Sequence, residues 1–277
     1  MLKIEYIGDV NEVIYKKISL DESNENVFLE AYIADKVGDF VRNAILVIPG
    51  GGYSTVCSDR EGEPIAMAFM PYGYNAFVLH YSAGKNSFPA HLIQASMAIK
   101  HIRDSAEAYN INPEKVFTVG FSAGGHLAAS LGTMWDRKEI YDSIDMSYGY
   151  NKPTGMMLIY PVISAEYHAM SFDNLFMGEK VSDKKLKMCS IENCVNEKSS
   201  PAYIVHTSND EIVDVRNSLA LANAMADKKI KFEMHIYPDA PHGVALANEI
   251  TKCGVEKWCN SSIARWIENA VKWADNL

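Results

Sequence analysis

The stretch that most constrains this chain is Gly120-Phe121-Ser122-Ala123-Gly124, set between the β-branched and aromatic run Lys115–Val119 and the helix-forming segment His126–Leu131. Strand, sharp turn and helix follow one another with no room for side chains at the flanking positions, which glycine occupies on both sides. A serine in the middle of such a turn holds its hydroxyl out at the edge of a sheet. The helix that follows adds its N-terminal amides beside that hydroxyl. Ser122 is therefore a candidate nucleophile. The five residues alone also suit a glycine-rich helix start with a capping serine, so the choice rests on the rest of the chain.

Several apolar runs are continuous rather than alternating: Ala44–Ile48, Ala76–Leu79, Met156–Tyr160 and Tyr203–Val205. That is the pattern of parallel strands covered on both faces. Between them lie segments with helical spacing: Pro64–Met70, then Leu92, Ser96, Ile99, Arg103 and Ala106, then Leu219, Ala222 and Met225 on one face. The strand Phe232–Tyr237 and a closing helix with Ile263, Trp266, Ile267, Ala270 and Trp273 complete the series. Such alternation predicts an α/β fold with a mostly parallel central sheet and helices on both faces. Three β-rich stretches at the start, Ile4–Ile7, Val13–Leu20 and Val27–Ile33, read as hairpins at a sheet edge. Asp136–Thr154 is polar and loop-like. Residues 162–200 break the rhythm with aromatic and Met clusters and the charged Glu179–Lys187, and read as a small cap inserted over the carboxyl edge of the sheet. The 277 residues suit one domain over 1–277 with that insertion.

With 35 acidic and 26 basic residues the formal charge is -9, which argues against a nucleic-acid partner. Met1-Leu2-Lys3-Ile4-Glu5-Tyr6 lacks a basic region followed by an apolar stretch, and no run reaches membrane-spanning length. The expectation is a cytoplasmic protein with no membrane partner. Five cysteines at irregular positions read as free thiols. Neither Cys189/Cys194 nor Cys253/Cys259 has the two-residue spacing of a zinc knuckle, so no metal is expected.

A serine nucleophile requires a base, and the base a carboxylate to orient it. In the arrangement known for such strand–serine–helix turns, these partners come in the order serine, acid, histidine, each in a loop after a later strand. After the strand ending at His206 comes Thr207-Ser208-Asn209-Asp210-Glu211-Ile212-Val213-Asp214, and after the strand ending at Tyr237 comes Pro238-Asp239-Ala240-Pro241-His242-Gly243. His242 is the only histidine in a loop after the candidate acids, His235 lying within the strand Phe232–Tyr237. Asp210 comes first after its strand and is favoured over Asp214, which stands where it would cap a helix starting near Val215. Glu211 is longer and suits solvent, and Asp239 suits a turn. Oxyanion-holding amides are sought at Ala123 and, from the glycine run after the earlier strand, at Gly51 and Gly52.

Pro49-Gly50-Gly51-Gly52-Tyr53, Asp59-Arg60-Glu61-Gly62-Glu63-Pro64, Gly120–Leu127 and His206–Asp210 together resemble bacterial esterases of the α/β-hydrolase superfamily, of the acetyl-xylan-esterase-like or carbohydrate acetyl esterase kind. The likeness spans roughly 40–275. It implies an α/β-hydrolase fold and hydrolysis of small acyl, often acetyl, esters through Ser122, Asp210 and His242, with no metal or organic cofactor. The implied partner is a small-molecule ester, an acetylated sugar or oligosaccharide; homo-oligomerisation stays open. Two departures stand out. Pro49 replaces the histidine of the HGGG-type motif, and Asp214 stands where relatives often have proline.

Arg60, Glu61 and Glu63 suit either a pocket wall, binding a sugar hydroxyl or pairing with each other, or the acidic start of a helix. His126 and His206 are expected to be structural. Two rival functions remain: a peptidase or amidase on the same scaffold, and a non-catalytic protein retaining the pocket.

Overall fold

The computed structural model describes residues 13–277; the predicted stretch Ile4–Ile7 lies outside them. In chain order the elements are β1 (Val13–Ser19), β2 (Phe28–Ala34), β3 (Arg42–Ile48), α1 (Ser58–Glu61), α2 (Glu63–Phe69), β4 (Tyr74–His80) and α3 (Ala90–Asp104). They continue with β5 (Ile111–Phe121), α4 (Ala123–Thr133), α5 (Lys138–Tyr141), β6 (Met156–Ile159), α6 (Ala169–Leu175), α7 (Asp183–Cys189), β7 (Ala202–Thr207), α8 (Arg216–Asp227), β8 (Phe232–Tyr237) and α9 (Trp266–Asp275).

The eight strands form one sheet in the order β1-β2-β4-β3-β5-β6-β7-β8. β1 and β2 are antiparallel to each other, and β2 is antiparallel to β4. From β4 to β8 every pairing is parallel. Alternate residues of the central strands enter opposite cores, which is why their sequences read as unbroken apolar runs. Leu46, Ile48, Phe77 and Leu79 pack with Leu92, Ile99, Leu127 and Met225 on one face of the sheet. Ile45, Val47, Ala76 and Val78 pack with Ile65, Phe69, Trp266 and Ala270 on the other.

Three local expectations change. Leu219 is 40% exposed, and the buried face of α8 is instead Asn217, Ser218, Leu221, Ala222 and Met225. At about 100° per residue, position 219 falls off the stripe that 218, 221, 222 and 225 define. Asp136–Thr154 carries the single-turn helix α5, with Ile140 fully buried. Ile263 belongs to the core but precedes α9, which starts at Trp266. Residues 162–200 form α6, α7 and connecting turns, and Phe172 of α6 packs edge-on against His126 of α4.

The chain leaves β3 for β4 on one side, then returns to β5 on the other. The loops after β3 and β5 consequently diverge and open a crevice at the carboxyl ends, where ligands bind in open α/β sheets. The glycine turn after β3 and Ser122 after β5 flank that crevice. Among the described residues, no helix is long and apolar enough to cross a membrane.

Candidate active site

Ser122 occupies the turn between β5 and α4 with φ 52° and ψ -120°, a backbone state that side-chain-bearing residues avoid unless neighbours impose it. Its amide donates to Ile159 O at 3.1 Å and its carbonyl accepts from Val162 N–H at 3.0 Å. A Cβ on Gly120 would lie 2.3 Å from Gly124 O, and one on Gly124 would lie 2.1 Å from Ile48 O. Both flanking glycines are thus required by close approach of backbone.

His242 Nε2 lies 2.9 Å from Ser122 Oγ, and His242 Nδ1 lies 2.7 Å from Asp210 Oδ2. The carboxylate can only accept, so Nδ1 carries the proton, leaving Nε2 with its lone pair toward the serine hydroxyl. The Asp210 side chain is fully buried, and Oδ1 accepts from the amides of Ile212 and Val213, each at 2.9 Å. Burial opposes its ionisation, but hydrogen bonds from His206, His242 and the Val213 amide overcome this and hold the carboxyl well below the usual carboxylate range.

The glycine turn supplies the facing wall. Gly51 has φ +124° and Gly52 φ +62°, and a Cβ on Gly51 would meet Thr55 O at 2.3 Å. The turn bonds through its carbonyls: Gly51 O accepts from the amides of Ser54 and Thr55, and Gly52 O from Asn174 Nδ2. Among the described residues, the amides of Gly51, Gly52 and Ala123 have no protein acceptor. Gly51, Gly52, Ser122, His168, Met170 and His242 bound a cavity of about 170 Å³. A wider cleft of about 590 Å³, lined by Asn209, Glu211, Trp258 and Asn260, adjoins it across His242 and Ile212.

The other candidates go elsewhere. Asp214 accepts from the Arg216 amide at 2.8 Å and pairs with the Arg216 guanidinium at 2.7 Å, so it caps the start of α8. Glu211 is exposed. Asp239, also exposed, accepts from Asn209 Nδ2 at 2.7 Å. His126 Nε2 donates to Cys189 O at 2.8 Å, so Nδ1 accepts from the Tyr53 hydroxyl at 2.7 Å. His206 Nε2 donates to Val213 O at 2.8 Å and also lies 3.4 Å from Asp210 Oδ2, while Nδ1 accepts from Ser218 Oγ at 2.7 Å.

Arg60 and Glu61 do not pair with each other. Arg60 stacks 4.2 Å over the Trp258 ring and donates to Gly243 O. Glu61, 2% exposed, accepts from the Gly50 amide and the Tyr160 hydroxyl, whereas Glu63 is exposed. Tyr160 escaped notice in the sequence because it ends an apolar run. Its φ of 39° turns it out of β6, and its ring lies 4.8 Å from that of His242. No group of three or more His, Cys, Asp or Glu among the described residues is arranged to hold a metal ion.

A doubly covered sheet of this order, with the serine after β5, the carboxylate after β7 and the imidazole after β8, defines the α/β-hydrolase class. Within that class, the BD-FAE sequence family matches residues 29–225, and the chain belongs to that family. The acetyl ester-xyloside bifunctional hydrolase from Caldicellulosiruptor lactoaceticus superposes with a TM-score of 0.79 at 31% identity, over 94% of this chain and 96% of that one. Endo-1,4-beta-xylanase B of Butyrivibrio fibrisolvens is 40% identical over 221 residues, 76% of this chain but 34% of that protein. Acetylxylan esterase of Xylanibacter ruminicola is 33% identical over 208 residues, 72% of this chain and 40% of that protein. The chain therefore spans well under half the length of these two curated relatives.

Proposed function

We propose that this protein is a serine carboxylic-ester hydrolase that removes small acyl groups, chiefly acetyl, from carbohydrate esters. The carrying observation is the directed chain Asp210–His242–Ser122, with a proton acceptor aimed at the serine hydroxyl 2.9 Å away and unengaged amides beside it. In this reading Ser122 Oγ attacks the ester carbonyl while His242 Nε2 takes its proton. The oxygen that gains negative charge is held by the amides of Gly51, Gly52 and Ala123. Collapse of the tetrahedral species expels the alcohol, which leaves with the proton from His242. Water then gives its proton to His242, attacks the acyl-serine and releases the acid, restoring Ser122.

Pocket size supports a short acyl group, since the Ser122 cavity measures about 170 Å³. The adjoining cleft, with Asn209, Glu211, Trp258 and Asn260 on its wall, offers hydrogen-bonding groups and an aromatic surface to a polyhydroxylated alcohol. The relatives that act on acetyl esters and xylan support the same assignment.

The test is a series of 4-nitrophenyl esters from acetate to octanoate, followed by acetylated xylo-oligosaccharides and an anilide. Acetate is expected to be preferred and the anilide to be nearly inert; a faster anilide would make the protein an amidase. Ser122→Ala should lower kcat by a factor on the order of 10⁶ without unfolding the chain. Turnover near wild type in that variant would end the assignment.

A further inference from the structure

Glu61 is a carboxylate buried to 2% exposure beside a site that must stabilise an anion, a placement that carries a desolvation cost and invites a reason. Its partners are two neutral donors. The Gly50 amide donates to Oε2 at 2.8 Å, and the Tyr160 hydroxyl donates to Oε1 at 2.9 Å. The direction of the second bond is fixed, because the Tyr160 oxygen accepts from the Ala245 amide at 3.0 Å and its own hydrogen must go elsewhere. A continuous relay results: Ala245 N–H to Tyr160 O–H to Glu61, met from the far side by Gly50 N–H.

The two ends of this relay belong to the two loops on which the proposed chemistry depends. Gly50 immediately precedes Gly51, so holding the Gly50 amide sets the path into the turn whose next two residues line the cavity. Ala245 follows His242 by three residues, and the Tyr160 ring lies edge-on to the imidazole at 4.8 Å. The neighbouring Arg60 ties the same two loops by donating to Gly243 O. Trp266 Nε1 pins Ala245 from behind, donating to its carbonyl at 2.9 Å.

We infer that Glu61, acting with Tyr160, is a positioning residue that locks the oxyanion turn and the His242 loop into one alignment. This rests on the serine-esterase reading given above. The chemistry explains why a carboxylate is needed. Glutamine has the same shape but one acceptor oxygen; its amide nitrogen would confront a hydroxyl or an N–H that also needs an acceptor.

The experiment compares wild type, Glu61→Gln, Tyr160→Phe and the double variant on 4-nitrophenyl acetate, with active sites counted by end-point labelling with a fluorophosphonate. Expected for Glu61→Gln is a fall in kcat per labelled site on the order of 10²-fold with KM within about threefold, the signature of interactions used in the transition state. Tyr160→Phe, which keeps the ring against His242, should fall in the same direction, and the double variant should be no worse than the stronger single one. A kcat per labelled site within about threefold of wild type, or additive losses in the double variant, would overturn the inference in favour of a purely structural role. If Glu61→Gln does not fold, Tyr160→Phe decides alone. Ser122→Ala separates the two levels: activity that survives it sinks the esterase reading, whereas activity that it abolishes but Glu61→Gln spares sinks only this inference.

Discussion

Two buried carboxylates stand on either side of Ser122, and they are held in opposite ways. Asp210, in the loop after β7, is ringed by N–H donors, two of them from imidazoles, one of which also meets Ser122 Oγ. Glu61, at the end of α1, accepts from a peptide amide and a phenol, two neutral donors. In the proposed mechanism the first stabilises a charge that appears transiently on His242, whereas the second acts by fixing where loops lie. A buried acid near a nucleophile is therefore not one kind of object, and its partners tell which kind it is.

Removing each charge isosterically breaks the comparison most directly. Asp210→Asn would present an amide N–H to His242 Nδ1, favour the tautomer protonated at Nε2 and deprive Ser122 of its base. The expected loss in kcat is on the order of 10⁴-fold, measured on 4-nitrophenyl acetate. Glu61→Gln, by the argument above, loses about 10²-fold. Equal losses would erase the distinction between the two carboxylates.

A second contrast concerns pH and the buried histidines near the site. Burial lowers the His126 pKa from 6.5 to about 4, and the same holds for His91. The unfolded chain then binds more protons than the folded one between those values, so stability is full above about pH 6.5 and falls as pH drops toward 4. Each ring contributes a slope of up to about 1.4 kcal/mol per pH unit, and His126→Gln should remove about half of the combined slope in urea unfolding at pH 7, 6 and 5. Asp210, depressed below its ordinary value, contributes stability present above the unfolded carboxyl pKa and lost only at still more acid pH.

The smallest effect belongs to Asp214. Its substitution by Asn should change kcat by less than about twofold and stability by under about 1 kcal/mol, since Asn also caps helices. A large activity loss there would mean that the loop after β7 rearranges and that Asp214, not Asp210, serves His242.

What was legible in the sequence follows from what is local. The parallel sheet could be read because burial on both faces makes its central strands continuously apolar, and the meeting of Ser122, Asp210 and His242 because each lies in the loop that follows a strand. The single-turn helix α5 and the exposure of Leu219 were not legible: four residues carry no period, and a helix face is set by what packs against it. Glu61 was visible but ambiguous, since an acid near a helix start has an ordinary explanation. Its partner Tyr160 gave no signal at all, because the pair are 99 residues apart and only the completed sheet brings them together.

That separation has a kinetic corollary. Ser122 and His242 are 120 residues apart, and the loops carrying Gly50, Ser122, Asp210 and His242 hang from four different strands. Loop-closure entropy makes such distant pairings slow to form relative to local helices. Regain of turnover during refolding should therefore lag behind regain of helical circular dichroism, and catalysis becomes a clock for the last step of sheet assembly rather than for collapse.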